Sequence, residues 1–229
     1  MAQTNANCPY HKICRRFLKS EKVGVPDGAL REDLRYDMCY CEKCHNHRGD
    51  REVYPRGIPP TKYVLPLGWA RFSLRILKHK LYSLAKDWHV AFHGTLVEKV
   101  VPILDAGMLL CPEDVILGGE ELSQRPGHFD EHRKPSNFDT LQIFVSPSIK
   151  YVESRAYASP ISWNDGGTRY QGRVAFQVWV RPGSYDVGPQ TIGATDPIDP
   201  EFDNDKLEWF TKERPAVVLY GLLVKLDRQ

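Results

Sequence analysis

The cysteines of this chain crowd into its first 44 residues, where five of the six are found. The sixth, Cys111, lies far downstream. An odd number of closely spaced cysteines with histidines between them fits a disulfide framework poorly and a metal site well. Reduced thiols are typical of reducing compartments, so we expect an intracellular protein, cytoplasmic or nuclear.

Two short stretches have the spacing that a tetrahedral zinc ion favours. Cys8-Pro-Tyr-His11 and Cys41-Glu-Lys-Cys44 each place two soft ligands with two residues between them, so one tight turn can present both. We predict Cys8, His11, Cys41 and Cys44 as ligands of a structural zinc, which would stabilise a segment too short to bury its own core. Other residues could substitute for these ligands or hold a second ion: Cys14, Cys39, His45 and His47. The alternative is a set of free surface thiols.

Composition limits the classes of partner. The chain has 229 residues, of which 41% are apolar, enough for one sizeable core and a small second module. Its formal net charge of +2 does not demand a polyanionic partner. No apolar run approaches the ~20 residues of a membrane span, and residues 1–7 lack the apolar centre of a secretory signal. We expect a soluble protein without a membrane partner.

The proline-rich stretch from Pro55 to Pro66 predicts a boundary. It holds four prolines and is typical of an extended connector. We therefore expect a Cys/His-rich zinc-binding module over residues 1–54, a connector over 55–67 and a larger domain over 68–229.

His93-Gly94-Thr95 closes a short apolar strand that begins at Trp88. A glycine lets a ligand approach the backbone more closely than any residue with a Cβ. The helical run predicted next, over residues 96–110, offers unpaired N–H groups and a favourable dipole. The tripeptide is a possible place for a small polar ligand, although a strand-ending His-Gly taken alone is more often plain turn chemistry.

Hydrophobic periodicity predicts both helices and strands in the rest of the chain. Strands are predicted over residues 68–74, 88–92, 141–145, 173–180 and 217–226, and helices over 13–22, 96–110 and 147–157. Gly107 stands where a helix C-cap is expected, and Ser146-Pro147 is typical of a helix start. The helix over 13–22 is basic, which favours a solvated face over a nucleic-acid contact.

The polar stretch from Cys111 to Thr140 has little periodicity. Loops of this length in compact domains often cover a site, so we predict a lid over the pocket. Its two histidines, His128 and His132, are interpreted as surface residues and not as metal ligands.

Three parts of the chain together resemble the signature of ADP-ribosyltransferases: His93-Gly94-Thr95 at one strand end, Ile143-Phe144-Val145-Ser146 before a helix, and Glu208 on a late strand. The branch resembled is the poly(ADP-ribose) polymerase type, which has a His–Tyr–Glu triad. Further motifs are similar to the C-terminal region of the Neuralized-like protein 4 family: the cysteine-rich start, Arg48-Gly49-Asp50, Gly68-Trp69-Ala70-Arg71-Phe72, Ser146-Pro147-Ser148-Ile149-Lys150-Tyr151, Leu207-Glu208-Trp209 and Tyr220-Gly221-Leu222-Leu223-Val224. The resemblance covers nearly the whole chain.

The resemblance implies an α+β fold, with a split antiparallel β-sheet that holds NAD in a cleft beside the small N-terminal zinc module. The resemblance implies that His93 hydrogen-bonds ribose hydroxyls and that the backbone of Gly94 holds the nicotinamide amide. Thr95, the next residue, is implied as a further NAD-binding position. Ser154 and Tyr157 match the family's Ser-x-x-Tyr, in which serine bonds the amide and tyrosine stacks on the ring. Glu208 matches the catalytic glutamate, which would stabilise an oxocarbenium-like charge.

One position departs from the family pattern. The triad tyrosine falls at Phe144, which keeps an aromatic face for NAD but lacks the hydroxyl. This favours transfer of single ADP-ribose units over chain elongation. Glu213 is a second candidate for the carboxylate, with a solvent ion pair beside Arg214 as the alternative.

The sequence therefore supports three functional hypotheses. The first is an NAD-dependent mono-ADP-ribosyltransferase that acts on a macromolecular acceptor, protein or nucleic acid, with release of nicotinamide. The second is a catalytically weak or inactive module of the same fold that binds protein partners. The third, removal of phosphate from RNA ends, would need basic residues converging on the cleft, which the matching strands do not supply.

Overall fold

The computed structural model describes residues 8–75, 78–116, 118–123 and 139–229. Within these residues the helices are α1 (Pro9–Lys19), α2 (Glu42–Arg48), α3 (Lys78–Asp87), α4 (Val100–Ala106) and α5 (Ile149–Val152). The first strands are β1 (Met38–Cys39), β2 (Val53–Arg56), β3 (Thr61–Val64), β4 (Ala70–Ser73) and β5 (His89–Thr95). The later strands are β6 (Ile143–Val145), β7 (Ile161–Asp165), β8 (Thr168–Val180), β9 (Asp186–Gly188), β10 (Glu208–Thr211) and β11 (Val217–Arg228). The fold is mixed α+β.

The strands form three antiparallel sheets. The largest has the order β1-β4-β11-β8-β5, with β7 paired to β8, and a smaller one has the order β6-β10-β9. A hairpin of β2 and β3 forms the third. The two larger sheets meet where the amide of Phe92 donates to the carbonyl of Ser146 at 2.8 Å and the amide of Ser146 donates back at 2.9 Å. This contact brings the end of β5 beside β6.

The large sheet is apolar on both faces, as expected for strands covered on two sides. On β8, Val174, Phe176 and Val178 pack into one hydrophobic cluster, while Ala175 and Trp179 pack into the other. Successive side chains of a strand point to opposite faces, so this alternation places a core on each side of the sheet.

The N-terminal segment joins the larger part of the chain in one hydrophobic core. Cys14, Phe17 and Leu18 of α1 are fully buried and belong to the same cluster as Phe72 of β4. Strand β1 also pairs with β4. The described part of the predicted zinc module, residues 8–54, therefore packs directly against the sheet of the predicted larger domain.

Helix α1 begins earlier than the predicted range 13–22. Cys8 is its N-cap and Pro9 occupies the first turn, where its missing N–H leaves no hydrogen bond unmade. The basic residues of α1 form ion pairs: Arg15 with Asp37, Arg16 with Asp165 and Lys19 with Asp27. The pairs of Arg16 and Lys19 lie at the surface, as expected for a solvated face, whereas Arg15 reaches the buried Asp37.

The helical run predicted over 96–110 divides into a short 3₁₀ turn, Val97–Lys99, and α4. Pro102 lies in the first turn of α4, where its missing N–H is tolerated. As predicted, Gly107 caps the helix in the left-handed region with φ 70°, and its N–H donates to the carbonyls of Ile103 and Leu104.

Other predicted segments differ in the structure. The predicted connector over 55–67 contains the turn and the second strand of the β2–β3 hairpin. The helix predicted over 147–157 is reduced to α5, and Ser148, not Ser146, is its N-cap. Of the predicted lid, residues 124–138 with His128 and His132 lie outside the described residues. Within the described ranges, no helix has the length and apolar character of a membrane span.

Candidate functional site

A small cavity lies where the end of β5, strand β6, helix α5 and the start of β10 come together. Its volume is about 20 Å³, roughly the space of one water molecule. The residues that line it are Phe92, His93, Gly94, Phe144, Val145, Ser146, Tyr151, Val152, Tyr157 and Glu208. The predicted residues His93, Gly94, Phe144, Tyr157 and Glu208 thus meet in one place.

His93 is oriented by a backbone contact across the sheet junction. Its Nδ1 lies 2.8 Å from the carbonyl oxygen of Phe144. A carbonyl oxygen accepts hydrogen bonds only, so Nδ1 carries the ring proton and donates it. In the neutral ring Nε2 is then an acceptor, so it can accept a hydrogen bond from a hydroxyl group of a ligand.

Gly94 is required by packing. A Cβ at this position would lie 2.6 Å from Cβ of Tyr157 and 2.9 Å from the carbonyl oxygen of Val152. Both distances are shorter than side chains tolerate. The next residue, Thr95, is buried and pairs with Val174, which holds the strand end against β8.

Glu208 is a buried carboxylate at the start of β10, with 1% of the residue exposed. Its Oε1 accepts hydrogen bonds from the hydroxyls of Tyr151 at 2.6 Å, Tyr157 at 2.8 Å and Thr191 at 3.0 Å. Its Oε2 is also buried and has no hydrogen-bond partner within the described part of the chain. One carboxylate oxygen therefore accepts from three donors, while the other is buried without a hydrogen-bond partner among the described residues.

The three hydroxyls also contact one another. The oxygens of Tyr151 and Tyr157 are 2.6 Å apart, and those of Tyr157 and Thr191 are 2.7 Å apart. Burial raises the pKa of Glu208, and the hydrogen bonds from Tyr151, Tyr157 and Thr191 only partly counter it. Burial, followed by the nearby charge of Glu208, also raises the pKa of both tyrosines. The hydroxyls therefore stay protonated and act as donors.

Ser154 does not line this cavity. It lines a separate open groove, together with Lys150, Glu153, Arg155 and Arg173. Its Oγ is buried and has no hydrogen-bond partner among the described residues. Of the predicted pair Ser154 and Tyr157, only Tyr157 reaches Glu208.

The spacing Ser-x-x-Tyr in fact occurs twice, and the earlier copy was missed. Ser148 caps α5 by accepting from the amide of Tyr151 at 3.2 Å, and it donates to Oδ2 of the buried Asp199 at 2.6 Å. Tyr151 then points its hydroxyl at Glu208. The repeated spacing was the available signal for Tyr151, whereas no local pattern marked Thr191.

Of the two remaining candidates, Phe144 lies at the cavity and Glu213 lies at the surface. Phe144 lines the cavity from β6, with its ring centroid 6.2 Å from that of Phe210. Glu213 is half exposed and forms an ion pair with Arg181. Glu208 is therefore the carboxylate at the cavity, and Glu213 belongs to a surface ion pair, although its partner is Arg181 and not the adjacent Arg214.

A second candidate site is a cluster of four cysteines. Ligand atoms of Cys8, Cys39, Cys41 and Cys44 all lie within 4.8 Å of one another. The sulfur of Cys8 is 3.6 Å from that of Cys39 and 3.7 Å from that of Cys41. Zinc–sulfur bonds of about 2.3 Å in a tetrahedron give a sulfur–sulfur distance of about 3.8 Å, so the group could hold a metal such as zinc.

This cluster corrects the predicted ligand set. Cys39, at the end of β1, stands where the sequence suggested His11. His11 is buried, its Nε2 lies 3.3 Å from Oδ2 of Asp37, and its ring stacks on Phe72 at 4.6 Å. His11 therefore packs into the core beside the cluster and is not part of it.

No protein-family model matches this chain. The chemistry of the cavity is therefore argued from its own residues. A buried carboxylate and an acceptor imidazole nitrogen can together receive hydroxyl groups of a ligand and stabilise a developing positive charge. The four-cysteine group is suited to a structural metal.

Proposed function

We propose that the protein is an NAD-dependent ADP-ribosyltransferase with the split-sheet fold of the poly(ADP-ribose) polymerase type. It transfers single ADP-ribose units to a macromolecular acceptor, protein or nucleic acid, and releases nicotinamide. The observation that carries the proposal is the buried Glu208, whose Oε1 is held by three hydroxyls at the cavity shared with His93 and Gly94. A carboxylate is kept in such surroundings only at a cost in stability, which favours a functional role.

The proposed reaction uses each of these residues in one role. The bond between nicotinamide and C1′ of the ribose breaks, and its electron pair leaves with nicotinamide. The acceptor then forms a bond to C1′ and loses a proton. Glu208 stabilises the positive charge that develops on the ribose and receives a ribose hydroxyl, while Nε2 of His93 accepts from another. The backbone of Gly94 holds the nicotinamide amide, which fixes the leaving group.

The size of the cavity adds a requirement. At about 20 Å³ it is too small for a nicotinamide ring, so binding of NAD requires the cavity to widen. The rings of Tyr151 and Tyr157 lie 5.0 Å apart, with their hydroxyls on Glu208. They line the cavity together with Phe144, and these three rings are the aromatic groups available for stacking on the nicotinamide.

The second candidate is a protein-interaction module that has the same fold and little or no activity. Two observations favour it: the small volume of the cavity and the absence of a hydroxyl on Phe144. In this case Glu208 and its three donors would be a buried polar network that specifies the core. The four-cysteine cluster has the same part in both proposed functions. A metal site closed by four protein ligands is structural and takes no part in a reaction.

The deciding experiment measures nicotinamide release and transfer of label from NAD to a panel of proteins and nucleic acids. Glu208→Gln keeps the size of the side chain but removes the charge, and we expect release to fall at least about a hundredfold. The control is Glu213→Gln at the half-exposed surface ion pair, which should keep the wild-type rate. If the wild-type protein releases no nicotinamide and NAD does not raise its melting temperature, the interaction module is the correct function.

A further inference from the structure

We propose that Thr191 is a positioning residue, which fixes the direction of the Glu208 carboxylate so that Oε2 is presented to a ligand in the cavity. The inference rests on the proposed function, because it concerns the same carboxylate. Thr191 does not line the cavity, and within the described residues its side chain contacts Glu208, Tyr151 and Tyr157. It would therefore act through Glu208 and not on the ligand itself.

Thr191 contributes to the hydrogen bonding around Oε1 of Glu208 in two ways. Each hydroxyl carries one proton, and all three hydroxyls lie within hydrogen-bond distance of Oε1. The phenol oxygen of Tyr151 also needs a donor, and the backbone N–H of Thr191 provides one at 3.0 Å. This hydrogen bond holds the Tyr151 oxygen where its own proton can reach Oε1. Thr191 thus donates to Glu208 directly and orients a second donor.

The position of Thr191 is set independently of Glu208. It lies 5% exposed in the loop between β9 and β10. The residue before it, Gln190, donates its backbone N–H to the carbonyl of Asn204 at 2.8 Å and accepts from the amide of Gly193 at 2.8 Å. A loop tied at both sides holds Thr191 in place, so its donors reach the carboxylate already oriented.

Saturating Oε1 has a consequence for Oε2. A carboxylate with three donors on one oxygen cannot rotate without breaking those hydrogen bonds together. The other oxygen, buried and without a hydrogen-bond partner among the described residues, then keeps one direction beside the cavity that Glu208 lines. This arrangement prepares a single acceptor for a ribose hydroxyl and holds the negative charge beside the place where the ribose charge develops.

The test separates a positioning role from simple packing. Thr191→Val keeps the shape and removes the hydroxyl, whereas Thr191→Ser keeps the hydroxyl and serves as the matched control. The ionisation of Glu208 is followed by NMR in protein with ¹³C-labelled glutamate, and the signal is assigned by its loss in Glu208→Gln. A donor to the carboxylate favours its charged form, so Thr191→Val should raise the pKa of Glu208 by about one unit. Thr191→Ser should leave it near the wild-type value.

The second readout is the pH profile of nicotinamide release, whose acidic limb should shift upward in Thr191→Val and return in Thr191→Ser. The inference is overturned if Thr191→Val titrates like the wild-type protein, or if Thr191→Ser shifts as far as Thr191→Val. The NMR titration needs no turnover. A wild-type protein that releases no nicotinamide would thus refute the proposed function, while the titration would still decide whether Thr191 positions Glu208.

Discussion

The hydroxyl of Tyr151 lies 2.6 Å from Oε1 of Glu208, and both residues line the same cavity although 57 positions separate them in the chain. The contact joins the short helix α5 to the first residue of β10. It sits beside the junction of the two larger sheets, where His93 is held by the carbonyl of Phe144. The imidazole of the candidate site is therefore positioned by a contact between the two sheets, and the carboxylate by a contact between α5 and the smaller sheet.

Removing the hydroxyl of Tyr151 should weaken the protein measurably. In Tyr151→Phe the ring is retained, but Glu208 loses one of its three donors. Hydrogen bonds to charged groups contribute about 1.5–3 kcal/mol, so we expect a loss of about that size in the free energy of unfolding. Urea denaturation measures the change.

The matched control is Tyr54→Phe in the β2–β3 hairpin, where the hydroxyl accepts from the amide of Arg51 near the surface. There the change should stay within about 0.5 kcal/mol. Equal losses in the two variants would mean that the contact between Tyr151 and Glu208 contributes no more to the free energy of unfolding than a surface hydrogen bond does.

The raised pKa of Glu208 predicts how stability depends on pH. Burial favours the neutral acid in the folded protein, so between the unfolded and the folded pKa the native state binds more protons than the unfolded chain. This contribution is fully present below the unfolded pKa of 4.5 and is lost as the pH rises through the folded value. Glu208→Gln removes the titration, so its stability relative to the wild-type protein should increase as the pH rises through this window.

Melting temperatures of both proteins from pH 4 to pH 8 provide the measurement, with Glu213→Gln as the surface control. A difference between Glu208→Gln and wild type that stays constant across this range would show that the folded protein does not perturb Glu208.

Several parts of the site could be predicted from local sequence patterns. The apolar run before His93-Gly94 indicated a strand that ends there, and Glu208 was expected on a late strand; both are found on strands that border the cavity. Thr191 could not be predicted, because it lies 40 residues from Tyr151 and 17 from Glu208 in a loop without periodicity. Only the folded chain brings these hydroxyls together.

The metal ligands also could not be predicted fully from local sequence patterns. The spacing of Cys8 and His11 is local and made His11 an obvious ligand, but α1 turns His11 into the core against Phe72. Cys39 takes its place because β1 pairs with β4, a contact between residues about 30 positions apart. Spacing alone cannot report such a pairing.

Gly94→Ala should abolish the candidate site by crowding. The new Cβ would lie 2.6 Å from Cβ of Tyr157, so Tyr157 or α5 must move, and overpacking of this kind costs about 1–3 kcal/mol. We expect a lower melting temperature and, if the proposed function holds, loss of the stabilisation by NAD that it implies.

Gly107→Ala is the control for Gly94→Ala. Its Cβ would meet no atom within 4 Å, but φ is +70°, so it costs about 1 kcal/mol through the backbone alone. This variant should lose stability and keep the response to NAD. If Gly94→Ala also kept that response, Gly94 would have no part in the site.

The four-cysteine cluster predicts one zinc ion per chain and a defined effect of its removal. Because metal binding and folding are coupled in short segments, chelation should loosen the part of the chain that carries Cys8 and Cys39. The same segment fills the core beneath the large sheet through Phe17 and Leu18, so the melting temperature of the whole protein should fall. Calorimetry with and without a chelator measures this fall.

Two variants decide which residues hold the ion. Cys39→Ser should reduce zinc content well below one ion per chain, whereas His11→Gln should retain it, even though His11 is buried and its loss weakens the core. Zinc is measured by elemental analysis of protein purified without added metal. Retention in Cys39→Ser with loss in His11→Gln would restore the ligand set that the local spacing suggested, and would mean that α1 rotates in the metal-bound protein.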